Sequence, residues 1–368
     1  MSPHPAERLR VYFDQDVHDF KAALGAIEAQ IGPDDEPVSE EILADLTDAI
    51  HRSREACKEI SLGLSAEELK PAQARFREEI APWFDQSWFM HRAKQKPRGY
   101  PGDYETLMGI YEEKPRSKGF GGYLDRYFLQ SDLARAVRGR LDDIRRFLIR
   151  ETLHRADRVS ILDIASGPGR EYAVGFRSSS AGISLKCIDT DEQALEYLRT
   201  NIDPTLNGLL DLSCFRYNAL KMSSARANVE TFGECDIIYS VGLCDYIPDR
   251  YLIRILEGWR ESVAPGGTIY VAFKDSKTYV AAEYQWHVDW FFYERTEADC
   301  RDLFFKAGYD VDHMEMFRDQ TGIIMNFVAR APALRRTRVD HAANALRPNF
   351  VDRPAAPAIP STEELIEK

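Results

Sequence analysis

Short β-rich runs alternate with helical ones between residues 158 and about 331, and this alternation limits the fold more than any other feature of the sequence. Runs such as ILDI and CDIIYSVG are each followed by a longer stretch with helical spacing. This pattern predicts a parallel sheet with helices on both faces. At its end two β-rich runs follow each other across the turn RDQT, so they must pair antiparallel. The predicted fold class is therefore α/β, with a mostly parallel sheet closed by an antiparallel hairpin.

The region before the sheet has the pattern of helices and predicts a separate cap domain. Amphipathic stretches follow three serines whose side chains could cap a first helical turn: Ser39, Ser65 and Ser131. Before the third serine, residues 94–125 are dense in Gly, Pro and Tyr, which predicts a structured loop rather than a helix. The predicted organisation is a helical N-terminal cap over 1–155, a sheet domain over 156–331 and a flexible C-terminal tail over 332–368.

The charge balance argues against several classes of partner. The chain has 368 residues, and 48 Lys+Arg against 60 Asp+Glu give a formal net charge of −12. Such a balance disfavours nucleic-acid binding and docking on an anionic membrane. No apolar run approaches the roughly 20 residues of a membrane span, and no apolar segment typical of a secretory signal follows the first residues.

The six cysteines are scattered singly, and none forms a C-x-x-C pair. This spacing supports neither a zinc site nor a disulfide framework. We therefore expect a reduced, cytoplasmic protein without a bound metal. The long amphipathic helices near the N-terminus are compatible with a homodimer.

A turn of small residues follows the first strand of the sheet in ILDIASGPGR. After Asp163, the small residues stand at alternate positions: Ala165, Gly167 and Gly169. They allow a ligand to approach the backbone, and a helix predicted to begin near Arg170 would offer free N–H groups. The dinucleotide motif G-x-G-x-x-G would need a third glycine where Tyr172 stands. The carboxylate of Asp163 suits a ligand with a cationic head group and would repel a pyrophosphate.

The ends of the later strands add further candidates for the same cleft. Asp189 stands 20 residues after Gly169, a distance at which an acid can accept hydrogen bonds from ribose hydroxyls. Asp191 is the competing acid, but it suits the cap of the next helix better. The third and fourth strands end in polar or small residues: Asn218, Ala219 and Ser240.

This order of residues resembles the class I S-adenosylmethionine-dependent methyltransferases over about 158–331. The resemblance rests on the turn with its leading acid, on Asp189, on the Pro265-Gly266-Gly267 turn and on the terminal hairpin. It implies a Rossmann-like seven-stranded sheet with the last strand antiparallel, and S-adenosylmethionine as cofactor. It also implies a position for each cofactor residue: Asp163 near the methionine part, Ala165, Gly167 and Gly169 under the ligand, Asp189 on the ribose, Asn218 and Ala219 near adenine, and Ser240 beside the cleft. The family often has an acid where Asn218 stands.

A narrower resemblance lies in the stretch KPRGYPGDY, from Lys96 to Tyr104. Together with GPGRE, from Gly167 to Glu171, it is similar to a bacterial methyltransferase group known as 3-hydroxypalmitate methyl ester biosynthesis proteins. This resemblance implies a match over most of the chain. It supports membership of the group more than it supports one substrate.

Methyl transfer needs a positioned acceptor and, for an alcohol or phenol, a nearby base, whereas a carboxylate needs none. His287 is the candidate base, although a hydrogen-bonded core histidine is the more favoured interpretation. Asp245 could bind substrate or cap a helix. Tyr100 and Tyr104 could form a lid that stabilises the sulfonium by cation–π attraction, or they could simply pack. The candidate substrate residues are Tyr246, Lys274, Tyr279, Trp286 and Trp290.

The leading hypothesis is a methyltransferase acting on a small-molecule substrate, by O-methylation of a carboxylate or hydroxyl. One alternative keeps the cofactor but cyclises its aminobutyryl arm and releases methylthioadenosine. A further one is an N-methyltransferase of a natural-product pathway. The alternative of another class is a non-catalytic S-adenosylmethionine-binding regulatory module.

Overall fold

The structure, a computed structural model, describes residues 5–153, 156–173, 176–177, 182–202, 206 and 208–333. Eight helices precede the sheet in this part of the chain: α1 (Pro5–Tyr12), α2 (His18–Glu28), α3 (Glu40–Ser61), α4 (Ala66–Phe84), α5 (Trp88–Gln95), α6 (Tyr104–Glu112), α7 (Gly119–Gln130) and α8 (Asp132–Leu153). Residues 334–368 of the predicted tail lie outside the described residues.

The predicted helix starts at the serines are confirmed. The Ser39 hydroxyl accepts the backbone N–H of Ile42, directly before α3. Ser65 and Glu68 form a reciprocal capping box at the start of α4. Ser131 stands directly before α8 and accepts the N–H of Ala134. Each oxygen satisfies a backbone donor that a helix start leaves without a partner.

The prediction of a loop over residues 94–125 is wrong for more than half of that stretch, because it contains the end of α5, all of α6 and the start of α7. Asp103 accepts the N–H of Thr106 and begins α6. The glycines here allow close packing of helices: a Cβ on Gly121 would collide with the Gln86 carbonyl, and one on Gly109 would collide with the Phe89 ring. The glycines of this stretch therefore allow close packing of helices against neighbouring segments, and they do not indicate a loop.

The sheet has seven strands: β1 (Val159–Ile164), β2 (Ile183–Asp189), β3 (Leu210–Arg216), β4 (Cys235–Val241), β5 (Val263–Lys274), β6 (Glu315–Arg318) and β7 (Ile324–Arg330). Their order is β3-β2-β1-β4-β5-β7-β6. Strands β1 to β5 pair in parallel, whereas β7 lies antiparallel between β5 and β6. The predicted fold class, with its antiparallel last strand, is confirmed.

Within the described residues, five helices accompany the strands: α9 (Glu192–Asn201), α10 (Ala225–Phe232), α11 (Asp249–Ser262), α12 (Ala281–His287) and α13 (Glu297–Lys306). After the glycine turn, the helix expected near Arg170 is a single 3-10 turn, Arg170–Tyr172, in the described residues. The cap of α9 is as predicted, since Asp191 accepts the N–H of Gln193. No described helix combines the length and the apolar character that crossing a membrane requires.

The helices before the sheet share one hydrophobic core with one face of the sheet. Ile161 and Tyr239 point into that core, whereas Leu162 and Ile238 point to the opposite face. This alternation follows from the two-residue period of a strand. Helix α12, which follows β5 in sequence, packs between α3 and α4. The two regions are therefore joined along an extended apolar interface, and the domain boundaries at 155 and 331 stay predictions.

Candidate active site

A cavity opens at the carboxyl ends of the parallel strands, where open α/β sheets bind ligands. Its empty volume is about 1150 Å³, including the open mouth. Ten residues that the sequence singled out line it: Tyr100, Tyr104, Ala165, Gly167, Asp189, Asn218, Ala219, Tyr246, Lys274 and Trp290. The structure thus brings together the ends of several strands and the segment between α5 and α6.

Asp189 ends β2 and is held in place by backbone groups. One carboxylate oxygen accepts the N–H of Gly167 at 2.9 Å, and the other accepts the N–H of Asp191 at 2.9 Å. Burial raises the pKa of Asp189, and these hydrogen bonds oppose that effect. Each oxygen keeps a lone pair for a ligand, so the carboxylate can accept from hydroxyl groups in the cavity.

The turn after β1 leaves open space above its backbone. Gly167 has φ 52°, and an added Cβ there would meet only the Leu107 side chain, at 3.7 Å. Ala165 also has a positive φ of 57°, which is uncommon for a residue with a side chain. Gly169 faces the other way, against Leu198, and does not line the cavity. Two of the three small residues therefore form the cavity floor, and the third allows helix packing.

The segment between α5 and α6 covers one side of the cavity, and ion pairs of Arg98 hold it in place. The Arg98 guanidinium pairs with Asp191 at 3.0 Å and with Glu105 at 2.7 Å. It also lies 4.7 Å from the centre of the Tyr104 ring. Tyr100 is mostly buried nearby, and burial together with the charge of Asp189 raises its pKa. The expected lid position of the two tyrosines agrees with this placement.

A buried ion pair lies at the opposite side, at the end of β5. Lys274 Nζ and Asp245 Oδ2 are 2.6 Å apart, and both side chains are almost fully buried. Burial lowers the pKa of Lys274, whereas the Asp245 carboxylate opposes that shift. Lys274 lines the cavity and Asp245 stands behind it. The two residues therefore act as one unit, with the lysine toward the ligand.

Tyr246 and Trp290 form an aromatic wall beside that pair. The Trp290 indole N–H donates to the Tyr246 hydroxyl at 2.7 Å. Both residues line the cavity. Their hydrogen bond fixes the orientation of both rings.

Besides Gly169 and Asp245, five predicted site residues lie away from the cavity lining. Asp163 is buried under the turn, where the Cys187 thiol lies 3.9 Å from its carboxylate. Burial and the neighbouring Glu171 raise the pKa of Asp163 well above its usual value. Ser240 donates to the carbonyl of Ile164 at 2.9 Å. The remaining three belong to the helical interior or its edge: Tyr279, Trp286 and His287.

His287 has both ring nitrogens occupied within the protein. Its Nδ1 lies 2.8 Å from the Glu283 carbonyl, and its Nε2 lies 3.2 Å from the Ser53 hydroxyl. The ring stacks on Phe84. Trp286 donates to the Ser61 hydroxyl, and Tyr279 donates to Glu294. These contacts agree with the core interpretation of the histidine.

Arg140 of α8 is the cavity residue of greatest chemical interest that sequence reasoning missed. It is only 6% exposed and lines the cavity. No carboxylate of the described residues lies within 4 Å of its guanidinium. The available signal was its position three residues after Val137 and four before Ile144, on the apolar face of the helix. The other missed residues are mostly apolar or small: Gly102, Leu107, Val137, Thr190, Leu220, Leu243 and Ile247. Tyr217, Val241 and Gly242 also line the cavity, at the ends of the third and fourth strands that the sequence places beside the cleft.

The family model described as "Putative methyltransferase" matches residues 99–331, which is more than half of the chain. The chain belongs to this methyltransferase family. With the class I sheet, membership makes the chain a transferase whose methyl donor is S-adenosylmethionine. Cavity residues fit such a ligand, because Asp189 can accept from a ribose and Gly167 leaves space above the backbone. No curated protein matches the sequence.

Solved structures with a similar fold accompany that match. One is described as a possible exported protein from Bordetella parapertussis, with 20% identity, a TM-score of 0.50, and coverage of 63% of this chain and 80% of that chain. The CurJ carbon methyltransferase is 12% identical with a TM-score of 0.45, covering 89% of this chain and 96% of that one. Magnesium protoporphyrin IX methyltransferase from Synechocystis PCC 6803 is 11% identical with a TM-score of 0.40, and the match covers 55% of this chain and 87% of that one.

Proposed function

We propose that this methyltransferase methylates an oxygen atom of a small-molecule acceptor, and that the acceptor group is a carboxylate in preference to a hydroxyl. The observation that carries the proposal is the buried Arg140 guanidinium at the cavity, with no carboxylate of the described residues within 4 Å. A buried cation gains most from an anionic partner, and a guanidinium matches the two oxygens of a carboxylate.

The charged groups at the cavity support the same preference. Asp189 is the one acidic residue among the described lining residues, and both of its oxygens already accept backbone N–H groups. Lys274 is paired with Asp245. A carboxylate acceptor is ionised at neutral pH and needs no base. A hydroxyl acceptor would need one, and Lys274 is the candidate because burial lowers its pKa.

S-adenosylmethionine, when bound, supplies the electrophilic methyl group. In this proposal Asp189 accepts hydrogen bonds from the ribose, and Ala219 offers an apolar contact for the adenine. Tyr100 and Tyr104 cover the segment that carries the sulfonium, where aromatic faces attract a cation. Arg140 orients the acceptor, and the buried walls exclude water from it.

The open cavity supports an acceptor-using reaction over cyclisation of the cofactor's aminobutyryl arm, which needs no room for a second ligand. The similarity to the 3-hydroxypalmitate methyl ester group makes 3-hydroxypalmitate a candidate acceptor. N-methylation and a purely regulatory role are the remaining alternatives. The cytoplasmic location and the homodimer stay predictions.

The test is to incubate the purified protein with S-adenosylmethionine and a panel of acids with their matching alcohols, 3-hydroxypalmitate included. Mass spectrometry follows S-adenosylhomocysteine and methylthioadenosine. We expect S-adenosylhomocysteine only when an acid is present. Methylthioadenosine without an acceptor would support cyclisation, and binding with neither product would support a regulatory module.

A pair of arginine variants of α8 sharpens the test. Arg140→Gln should lower kcat/KM for the acid at least about tenfold, because a charge-assisted hydrogen bond is lost. Arg135→Gln changes an exposed arginine of the same helix and should leave kcat/KM for the acid unchanged. The affinity for S-adenosylmethionine is measured in parallel by calorimetry. If Arg140→Gln weakens that affinity to the same extent, Arg140 contacts the cofactor and the acceptor proposal is wrong.

A further inference from the structure

A second cavity lies on the other side of Tyr246 and carries an excess of positive charge. Tyr246 lines both cavities, and Pro101 of the second is the neighbour of Gly102 in the first. The second cavity has an empty volume of about 1060 Å³, including its mouth. It is formed by α4, the segment between α5 and α6, and the segment after α12.

Among the described residues, three cations and one carboxylate line this second cavity. Arg77 and Lys96 both pair with Asp289, at 2.9 Å and 2.6 Å. Lys70 is exposed and has no ion pair within the described part of the chain. One carboxylate therefore faces three positive groups, in a protein whose net charge is −12. Local positive charge of this kind attracts an anion.

Gln73 supplies an independent observation that points to a ligand. It lines the second cavity and is 1% exposed. Neither its amide oxygen nor its amide nitrogen has a hydrogen-bond partner in the described structure. A buried polar group without a partner costs free energy, and native proteins rarely leave one without a partner. An acceptor on a ligand near the cations would satisfy the amide nitrogen of Gln73.

Aromatic side chains also line the second cavity. Phe291 is 40% exposed, and Phe292 and Tyr293 follow it in the sequence. The combination of cations, a buried amide and aromatic rings fits a small molecule with an acidic head and an apolar body.

We propose that the second cavity is a binding site for an organic carboxylate, separate from the methyl-transfer cavity. The carboxylate lies between Lys70 and Arg77 and accepts from the Gln73 amide, and its apolar body rests on Phe291. Tyr246 separates this ligand from the first cavity. Because the Tyr246 hydroxyl accepts from Trp290, the residue after Asp289, occupation of the second cavity can shift a wall of the first.

Calorimetry with octanoate as the probe tests this site on the whole protein, without cofactor or acceptor. Octan-1-ol, the neutral analogue of equal length, is the comparison ligand. We expect octanoate to bind and octan-1-ol to bind at least about tenfold more weakly. Equal binding of the two, or no binding of octanoate, overturns the proposal.

Substitutions then locate the bound octanoate. Lys70→Gln removes an exposed charge, and Gln73→Leu replaces the unpartnered buried amide with an apolar side chain, so both variants should fold. Each should weaken octanoate binding at least about fivefold, whereas Lys114→Gln, an exposed lysine that lines neither cavity, should not. If Arg140→Gln abolishes binding and Gln73→Leu leaves it unchanged, octanoate occupies the first cavity. That result would overturn this inference and leave the proposed methyltransferase function intact.

Discussion

The cavity at the carboxyl ends of the strands, here called the sheet-edge cavity, and the helical interior around His287 contain similar side chains. They differ in whether the polar groups of those side chains have partners within the protein. Around His287, the Glu283 carbonyl and the Ser53 hydroxyl occupy both ring nitrogens. At the sheet edge, Arg140 has no carboxylate partner in the described residues, and Asp189 keeps lone pairs facing an open cavity. The comparison shows that unsatisfied polar groups beside accessible space indicate a site better than residue type does.

The largest expected effect is on the ion pair of the sheet-edge cavity. Lys274→Met leaves the Asp245 carboxylate buried without its cation, which should lower the free energy of unfolding by about 3–5 kcal/mol. Urea titration measures this change. The double variant Lys274→Met/Asp245→Asn removes both charges and should recover much of the loss. Lys186→Met, a half-buried lysine bonded to the Ser160 hydroxyl, is the matched control. If the single and double variants were equally unstable, the pair would not act as one unit.

The next largest effect is a pH-dependent change in the free energy of unfolding, and it arises in the helical interior around His287. Burial lowers the pKa of His287 to about 4, so the folded state favours the neutral ring while the unfolded chain titrates near 6.5. This stabilisation is present above pH 6.5 and is lost as the pH falls from 6.5 toward 4. Between pH 7 and pH 4.5, His287→Gln should therefore lose about 2–3 kcal/mol less unfolding free energy than the parent protein.

Urea titrations at the two pH values give the comparison, with His18→Gln as the control for an exposed histidine. An identical pH dependence in the parent and the His287→Gln variant would contradict a buried neutral imidazole. It would also reopen His287 as a candidate base.

The smallest effect tests the cofactor side of the cavity. Asp189→Ala removes the acceptor of the ribose hydroxyls and of two backbone N–H groups, and it should weaken S-adenosylmethionine binding by about 2 kcal/mol, or about 30-fold. Calorimetry measures the affinity. Asp211→Ala, an exposed acid on the adjacent strand β3, should leave the affinity unchanged. Unchanged affinity in Asp189→Ala would remove Asp189 from the cofactor site.

The features that sequence reasoning predicted are local ones. Periodicity predicted the strands, and the adjacency of β6 and β7 predicted their antiparallel pairing. Asp189 was found because strand ends in a parallel sheet meet at one edge. The error over residues 94–125 has the opposite origin. The glycine content of this stretch predicts a loop, but Gly109 and Gly121 allow α6 and α7 to approach neighbouring segments closely.

The amino-acid sequence alone therefore determined the sheet, its order of elements and the turn that begins the cofactor site, because backbone periodicity and turn chemistry act over a few residues. The tertiary structure decided which side chains face accessible space. It placed Arg140 in the cavity and His287 in the core, and it brought Lys96 to Asp289, 193 positions away. Such contacts depend on how the helices pack on the sheet, and packing is set by the complementary shapes of surfaces far apart in the chain.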